Sequence, residues 1–274
     1  MQPEDYPEQD ELAEFARPYA EEVVRRAVGI EGEDVLFGSD PYQSVGIHQA
    51  PDPNGNVFAF IHGGGWTNGY KEWNNFMAPA YTSHGVTFVS IGYRLAPRLI
   101  FPAGLDDCAM GVSWIYKNIA DYGGDPSRIF LGGHSAGGHY SSLLAVKRDW
   151  QEKLGLPSDV IRGCIPVSGV YRFGENSGLN QRPRFLGTKN SGNSAAASPI
   201  LFINGTTCPF LMAHGESDFP HLMTQAEEME AALKAFGTMT ERVTLTGCDH
   251  LGAHYATGEA DGDWVKRVLK FMVT

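Results

Sequence analysis

The stretch "FLGGHSAGGHY", residues 130–140, places a serine between Gly133 and Gly137 where an apolar run gives way to small residues. A serine hydroxyl is a poor nucleophile unless it is exposed and activated. The pattern Gly-x-Ser-x-Gly at a strand-to-helix turn meets the first need, because the sharp turn projects Oγ above the sheet. Side chains two positions either side would collide inside that turn, hence the flanking glycines. A helix starting at Ala136 would also aim its first N–H groups at negative charge forming near Ser135.

A second glycine-rich stretch, "FIHGGGW" from Phe60 to Trp66, follows another strand-like run. Three successive glycines let backbone N–H groups point inward, where they can hold the oxyanion of a tetrahedral intermediate. Each such donor is typically worth ~3 kcal/mol in the transition state. A flexible turn or a phosphate cradle is the alternative, but neither Lys-Ser/Thr nor G-x-G-x-x-G with a trailing acid appears. A base and an acid should follow the serine in the order Asp/Glu, then His. Asp218, in "MAHGESDF", and His250, in "TGCDHLGAHY", each come just after a strand-like run. The imidazole would take the Ser135 proton and later return it to the leaving group, while the carboxylate orients the ring. Glu216, Asp249 and His254 compete for these roles. His134 and His139 read as packing or solvent residues.

The elements that must position these groups alternate. Strands are predicted at 34–38, 44–50, 57–61, 86–91, 129–133, 163–169, 209–215 and 242–247. Helices are predicted over 8–27, 103–119, 136–153 and 221–236, and the face Trp264, Val265, Val268, Leu269 and Met272 marks a last one. Short apolar strands between helices indicate a parallel sheet covered on both faces, an α/β fold with one antiparallel edge. The turn "APDPNGN" reads as a hairpin connection between the second and third strands. One domain over 1–274 accounts for the chain, with a helical extension over about 1–30. Residues 172–198, long, polar and without period, suggest either a small lid or a plain surface excursion.

Composition narrows the function. With 42% hydrophobic residues, no long apolar run and a formal net charge of −11, neither nucleic acid nor an anionic membrane is expected as a partner. The acidic N-terminus has no secretory signature. Cys108, Cys164, Cys208 and Cys248 are widely spaced, which suits reduced thiols in a cytoplasmic protein and gives no metal-binding pair. Edge strands and the final helix leave room for a homodimer.

The chain resembles the α/β-hydrolase family, and within it the esterases with an HGGG motif (the hormone-sensitive-lipase group) and the kynurenine formamidases. The likeness rests on "HGGGW", "YRLAP" (93–97), "FPAGLDD" (101–107), "GGDPSRIFLGGHSAGGH" (123–139), "ASP" (197–199), "HGESD" (214–218) and "DH" (249–250). It implies an α/β-hydrolase fold of about eight mostly parallel strands, with Ser135, Asp218 and His250 as triad. The N–H groups of Gly64, Gly65 and Ala136 would form the oxyanion hole, and Asp106 or Asp107 would brace nearby loops. The short N-terminal extension and Arg98 after "YRLAP" depart from the esterases, while the lead-in strands look like those of the formamidases.

The leading expectation is a cofactor-free, metal-free serine hydrolase of small carboxylic esters working through an acyl-enzyme. An arylformamidase is the alternative, and a catalytically dead binding protein the reading from another class. Trp66, Tyr70, Trp73, Phe76 and Tyr81, with Tyr171 and Phe173, are candidates to wall the small-molecule site. Packing is the plainer role for any one of them.

Overall fold

The computed structural model describes residues 1–175, 177–179 and 182–273. The strands are β1 (Glu33–Leu36), β2 (Ser44–His48), β3 (Gly55–Ile61), β4 (Thr87–Ile91), β5 (Gly124–His134), β6 (Ile161–Val167), β7 (Phe210–Ser217) and β8 (Thr240–Asp249). They form one sheet in the order β1-β2-β4-β3-β5-β6-β7-β8. β1 and β2 pair antiparallel, β2 joins β4 antiparallel, and the rest run parallel. This is the mostly parallel α/β-hydrolase arrangement expected from the sequence.

The hairpin expected between β2 and β3 does not form. β2 lies beside β4, with Ile47 opposite Val89, and β3 sits one place further in between β4 and β5. The reason lies in β3 itself. Val57 to Ile61 is apolar on both faces and fully buried, which suits a central parallel strand and not the arm of an edge hairpin.

The helices are α1 (Arg17–Arg26), α2 (Ala78–Thr82), α3 (Ala103–Asn118), α4 (Ala136–Val146), α5 (Asp149–Lys153), α6 (Pro183–Leu186), α7 (Asn193–Ala196), α8 (Pro220–Ala235), α9 (His250–Ala256) and α10 (Asp263–Phe271). Strand alternation splits the core between the two faces of the sheet. Val57, Ala59, Ile61, Val89, Ile91 and Leu131 pack with Leu105, Val112 and Leu143 of α3 and α4. Phe58, Phe60, Phe88, Phe130 and Leu211 face the other way, against Val23 of α1, Tyr81 of α2 and Trp264, Val265 and Val268 of α10.

Two helices differ from expectation. The first begins at Arg17 and not near residue 8, because Pro18 is tolerated only in a first turn. The helix after Ser135 stops at Val146, where Lys147 turns extended, and resumes as α5. The expected hydrophobic face of α8 is buried at Leu222, Ala226, Met229 and Leu233. Phe236 lies past the helix end and is exposed.

Candidate active site

The parallel strands bring every predicted chemical group to one edge of the sheet. His62 to Gly65 follow β3, Ser135 follows β5, Asp218 follows β7 and His250 follows β8, all at C-terminal strand ends. Ser135 has φ +55°, ψ −113°, a strained conformation for a residue with a side chain. Its N–H donates to the Val167 carbonyl at 2.9 Å, which fixes the turn to the next strand. The flanking glycines are sterically required. A Cβ on Gly137 would lie 2.0 Å from the Ile61 oxygen, and one on Gly133 would lie 2.3 Å from the Gly137 carbonyl carbon.

Ser135, His250 and Asp218 form one hydrogen-bonded line. His250 Nε2 lies 3.0 Å from Ser135 Oγ, and Nδ1 lies 2.8 Å from Asp218 Oδ1. A carboxylate cannot donate, so Nδ1 carries the ring proton and Nε2 is left to accept from the serine. The ring packs against His134 and Phe219, with centroids 4.9 and 4.8 Å away. Asp218 is buried, and burial pushes its carboxyl upward. The hydrogen bond from His250, that ring's charge, and donors at Ser168 Oγ and Phe219 N outweigh burial and hold it below the ordinary carboxylate range.

The competitors have other work. Asp249 is the N-cap of α9, accepting from Gly252 N at 2.7 Å. Glu216 accepts from Gly247 N at 2.8 Å. His254 is fully buried, stacked on Phe60 and His134, with Nδ1 2.8 Å from Tyr19 Oη. Of the acidic pair at 106–107, Asp107 does the bracing, accepting from Arg94 N, Nε and Nη2 and from Gln43 Nε2.

The loop after β3 turns back on itself. Gly64 and Gly65 have φ +113° and +62°, and the Gly64 carbonyl accepts from Thr67 and Asn68 N. A Cβ on Gly64 would lie 1.9 Å from the Asn68 oxygen. The N–H groups of Gly64 and Gly65 meet no acceptor among the described residues, and both glycines line the cavity beside Ser135. Trp66, at φ +66°, anchors the loop. Its indole stacks on Phe185 at 4.3 Å, and its Nε1–H donates to His139 Nδ1 at 3.1 Å. His139 Nε2–H in turn donates to the Ala197 carbonyl at 2.6 Å. His134 Nε2–H donates to the carbonyl of His250 at 2.8 Å, tying the elbow to the first residue of α9. Both histidines, read from the sequence as packing or solvent residues, are struts.

The cavity over Ser135 has a volume of about 420 Å³. Trp66 and Trp73 line it, joined by Leu12, Phe15 and Tyr19 from the N-terminal segment and by Val170, Leu179 and Leu222. The other aromatic candidates stand elsewhere. Tyr70 lines a separate cavity under the N-terminal residues. Tyr171 is fully buried beneath α8, and Phe173 packs against Trp66, His139 and Phe185. Phe76 and Tyr81 belong to the core, against His254 and Phe88. The polar segment 172–198 has an apolar underside, with Phe185 and Leu186 buried, and contributes Leu179 and Arg182 to the cavity. Residues 176, 180 and 181 of that segment lie outside the described residues. The N-terminal wall carried no chemical signal in the sequence, and Ser168, which donates to Asp218 Oδ2, was also missed.

Buried imidazoles make stability depend on pH. Burial holds His62 and His139 at about 4. Burial, with the nearby His250 charge, holds His134 at about 3. In the unfolded chain each takes a proton below ~6.5. Between that value and the depressed ones the unfolded state binds more protons, so stability falls as pH falls. Tm should decrease steadily from pH 7 to pH 4. His139→Gln should reduce the dependence by roughly 1 kcal/mol per pH unit. A Tm flat across that interval would contradict the placement of these rings.

Comparison with known proteins agrees with the fold. An esterase of Pyrobaculum calidifontis superposes with TM-score 0.77 at 20% identity, covering 94% of this chain and 92% of that one. A truncated carbohydrate esterase from gut microbiota gives TM-score 0.76 at 17% identity, covering 89% and 97%. Esterase LipQ of Mycobacterium tuberculosis is 31% identical over 206 residues, 70% of this chain and 48% of LipQ. Isoprenylcysteine alpha-carbonyl methylesterase ICME of Arabidopsis thaliana is 26% identical over 237 residues, 79% of this chain and 55% of that protein. The chain thus spans about half the length of these curated relatives. The BD-FAE family model matches residues 47–233, from within β2 into α8, and takes in the glycine loop, the elbow and Asp218. With this match over an α/β-hydrolase fold, the chain belongs to the BD-FAE family.

Proposed function

We propose that this protein hydrolyses small carboxylic esters through an acyl-enzyme, with Ser135 as nucleophile, His250 as general base then acid, and Asp218 orienting the imidazole. The observation that carries the reading is the unbroken line from Ser135 Oγ through His250 to Asp218, beside two amides that meet no acceptor among the described residues. Ser135 Oγ attacks the ester carbonyl as its proton passes to His250 Nε2. The oxyanion is held by the N–H groups of Gly64, Gly65 and Ala136, the last at the start of α4. Proton return to the alkoxide releases the alcohol. Water then attacks the acyl group by the same route in reverse.

The cavity is at the small end for ligands, with mostly apolar walls and few cations, which supports small neutral acyl groups. The relatives named as esterases support an ester over a formamide. We read the chain as one domain, with the N-terminal segment and 172–198 as accessory walls closing over the site. Its four free cysteines suit a reducing, cytoplasmic setting. The test is kcat/KM on acetyl, butyryl and octanoyl p-nitrophenyl esters beside an aryl formamide. Acetyl and butyryl esters should exceed the formamide at least a hundredfold, with octanoyl falling behind. A folded protein that deformylates faster than it cleaves any ester would reverse the assignment.

A further inference from the structure

Three residues other than glycine take positive φ among the described residues: Trp66, Ser135 and Ser168. Ser135 and Ser168 directly follow β5 and β6, and Trp66 ends the glycine loop after β3; the three strands are neighbours in the sheet. Such conformations cost of order 1–3 kcal/mol each and persist where the surroundings demand them. Trp66 anchors the glycine loop and Ser135 is the proposed nucleophile. Ser168, at φ +51°, has no place in the triad as usually drawn.

Its surroundings supply one. Ser168 is 1% exposed, its N–H donates to the Ala213 carbonyl at 2.8 Å, and its Oγ lies 2.5 Å from Asp218 Oδ2. The other donor to Oδ2, Gly215 N, is longer at 3.3 Å. On the opposite oxygen, Oδ1 accepts from both His250 Nδ1 and Phe219 N. The carboxylate is thus gripped at both ends, and Ser168 holds the end away from the imidazole. Glycine would adopt this backbone without strain. A serine there gives up stability and contributes one thing a glycine lacks, the hydroxyl.

Resting on the reading of Ser135, His250 and Asp218 as a triad, we propose that Ser168 is a positioning residue whose hydroxyl fixes the Asp218 carboxylate in the plane that directs His250 Nε2 at Ser135. It does not line the cavity and so touches no substrate. Its removal should act on turnover and not on substrate affinity. A carboxylate with one donor fewer also concentrates more charge on Oδ1. That favours the imidazolium and moves the acid limb of kcat/KM to higher pH.

The experiment compares Ser168→Gly and Ser168→Ala with wild type. Both variants should lose ten- to a hundredfold in kcat with KM within twofold, and both acid limbs should shift upward. Ser168→Gly, relieved of strain, should melt at or above the wild-type temperature, whereas Ser168→Ala should melt no higher than wild type. A purely structural serine predicts that the glycine variant keeps its activity along with its stability, and that result overturns the proposal. The low-field proton resonance of His250 Nδ1–H provides a readout independent of substrate. If that resonance moves in both variants while wild type cleaves no ester, Ser168 keeps its role and the esterase reading falls. If wild type cleaves esters but neither kcat nor the resonance changes in the variants, the inference about Ser168 falls alone.

Discussion

Ser135→Ala should abolish measurable ester hydrolysis, lowering kcat by at least ~10⁴ and toward ~10⁶, and should remove all labelling by a fluorophosphonate probe. The size follows from the chemistry. Without Oγ no acyl-enzyme can form, and what remains is direct attack of water on a bound ester beside amides that stabilise the oxyanion. The fold should survive, because alanine keeps the Cβ, and the backbone strain at φ +55° is common to both residues. The Val167 carbonyl still receives the N–H of residue 135. Loss of the 3.0 Å contact with His250 leaves a partly exposed imidazole nitrogen that water can satisfy. An unchanged melting temperature with no activity is therefore the expected pair of results. Residual hydrolysis within a hundredfold of wild type, or probe labelling that persists, would mean that another residue carries the acyl group.

The chemical pattern was legible where it depended on residue type at fixed spacing. Gly133, Ser135 and Gly137 declare a turn because a Cβ at either glycine has no room, and the same steric fact reappears as 2.0 and 2.3 Å clashes. Asp218 and His250 stand out as candidates by their position after apolar strands. Asp249, a competitor by sequence, caps the helix that His250 begins. Less legible was anything decided by the path of the chain. The place of β2 beside β4 is a pairing between segments far apart in the chain, which local pattern does not reach. Tyr171 and Phe173 border a polar segment, which makes them wall candidates as well as packing residues; Phe173 packs on Phe185 of that segment, and Tyr171 is buried beneath α8. Ser168 looked like any serine at a strand end. Its significance lies in a positive φ and a partner fifty residues away, neither of which leaves a mark in composition or period.

Asp218→Asn should reduce kcat by about 10³–10⁴ while leaving KM nearly unchanged, and its direction in pH should oppose that of the Ser168 variants. The amide can sit in two ways. With Nδ2 in place of Oδ1, its N–H groups would confront His250 Nδ1–H and Phe219 N–H, now at 2.8 and 2.7 Å. Relief would require His250 to move its proton to Nε2, where it can no longer accept from Ser135. With Nδ2 in place of Oδ2, the amide faces Ser168 Oγ, which can turn and accept, and Gly215 N at a longer 3.3 Å. The second orientation conflicts less and preserves the productive tautomer. It still removes the negative charge that opposes the imidazolium formed as Ser135 is deprotonated. A less stable imidazolium gives up its proton more readily, so the acid limb of kcat/KM should move to lower pH even as the plateau collapses. Nitrogen chemical shifts of His250 distinguish the two orientations directly. Turnover within tenfold of wild type, or an acid limb displaced upward, would show that the carboxylate acts neither by charge nor by tautomer and would remove Asp218 from the mechanism.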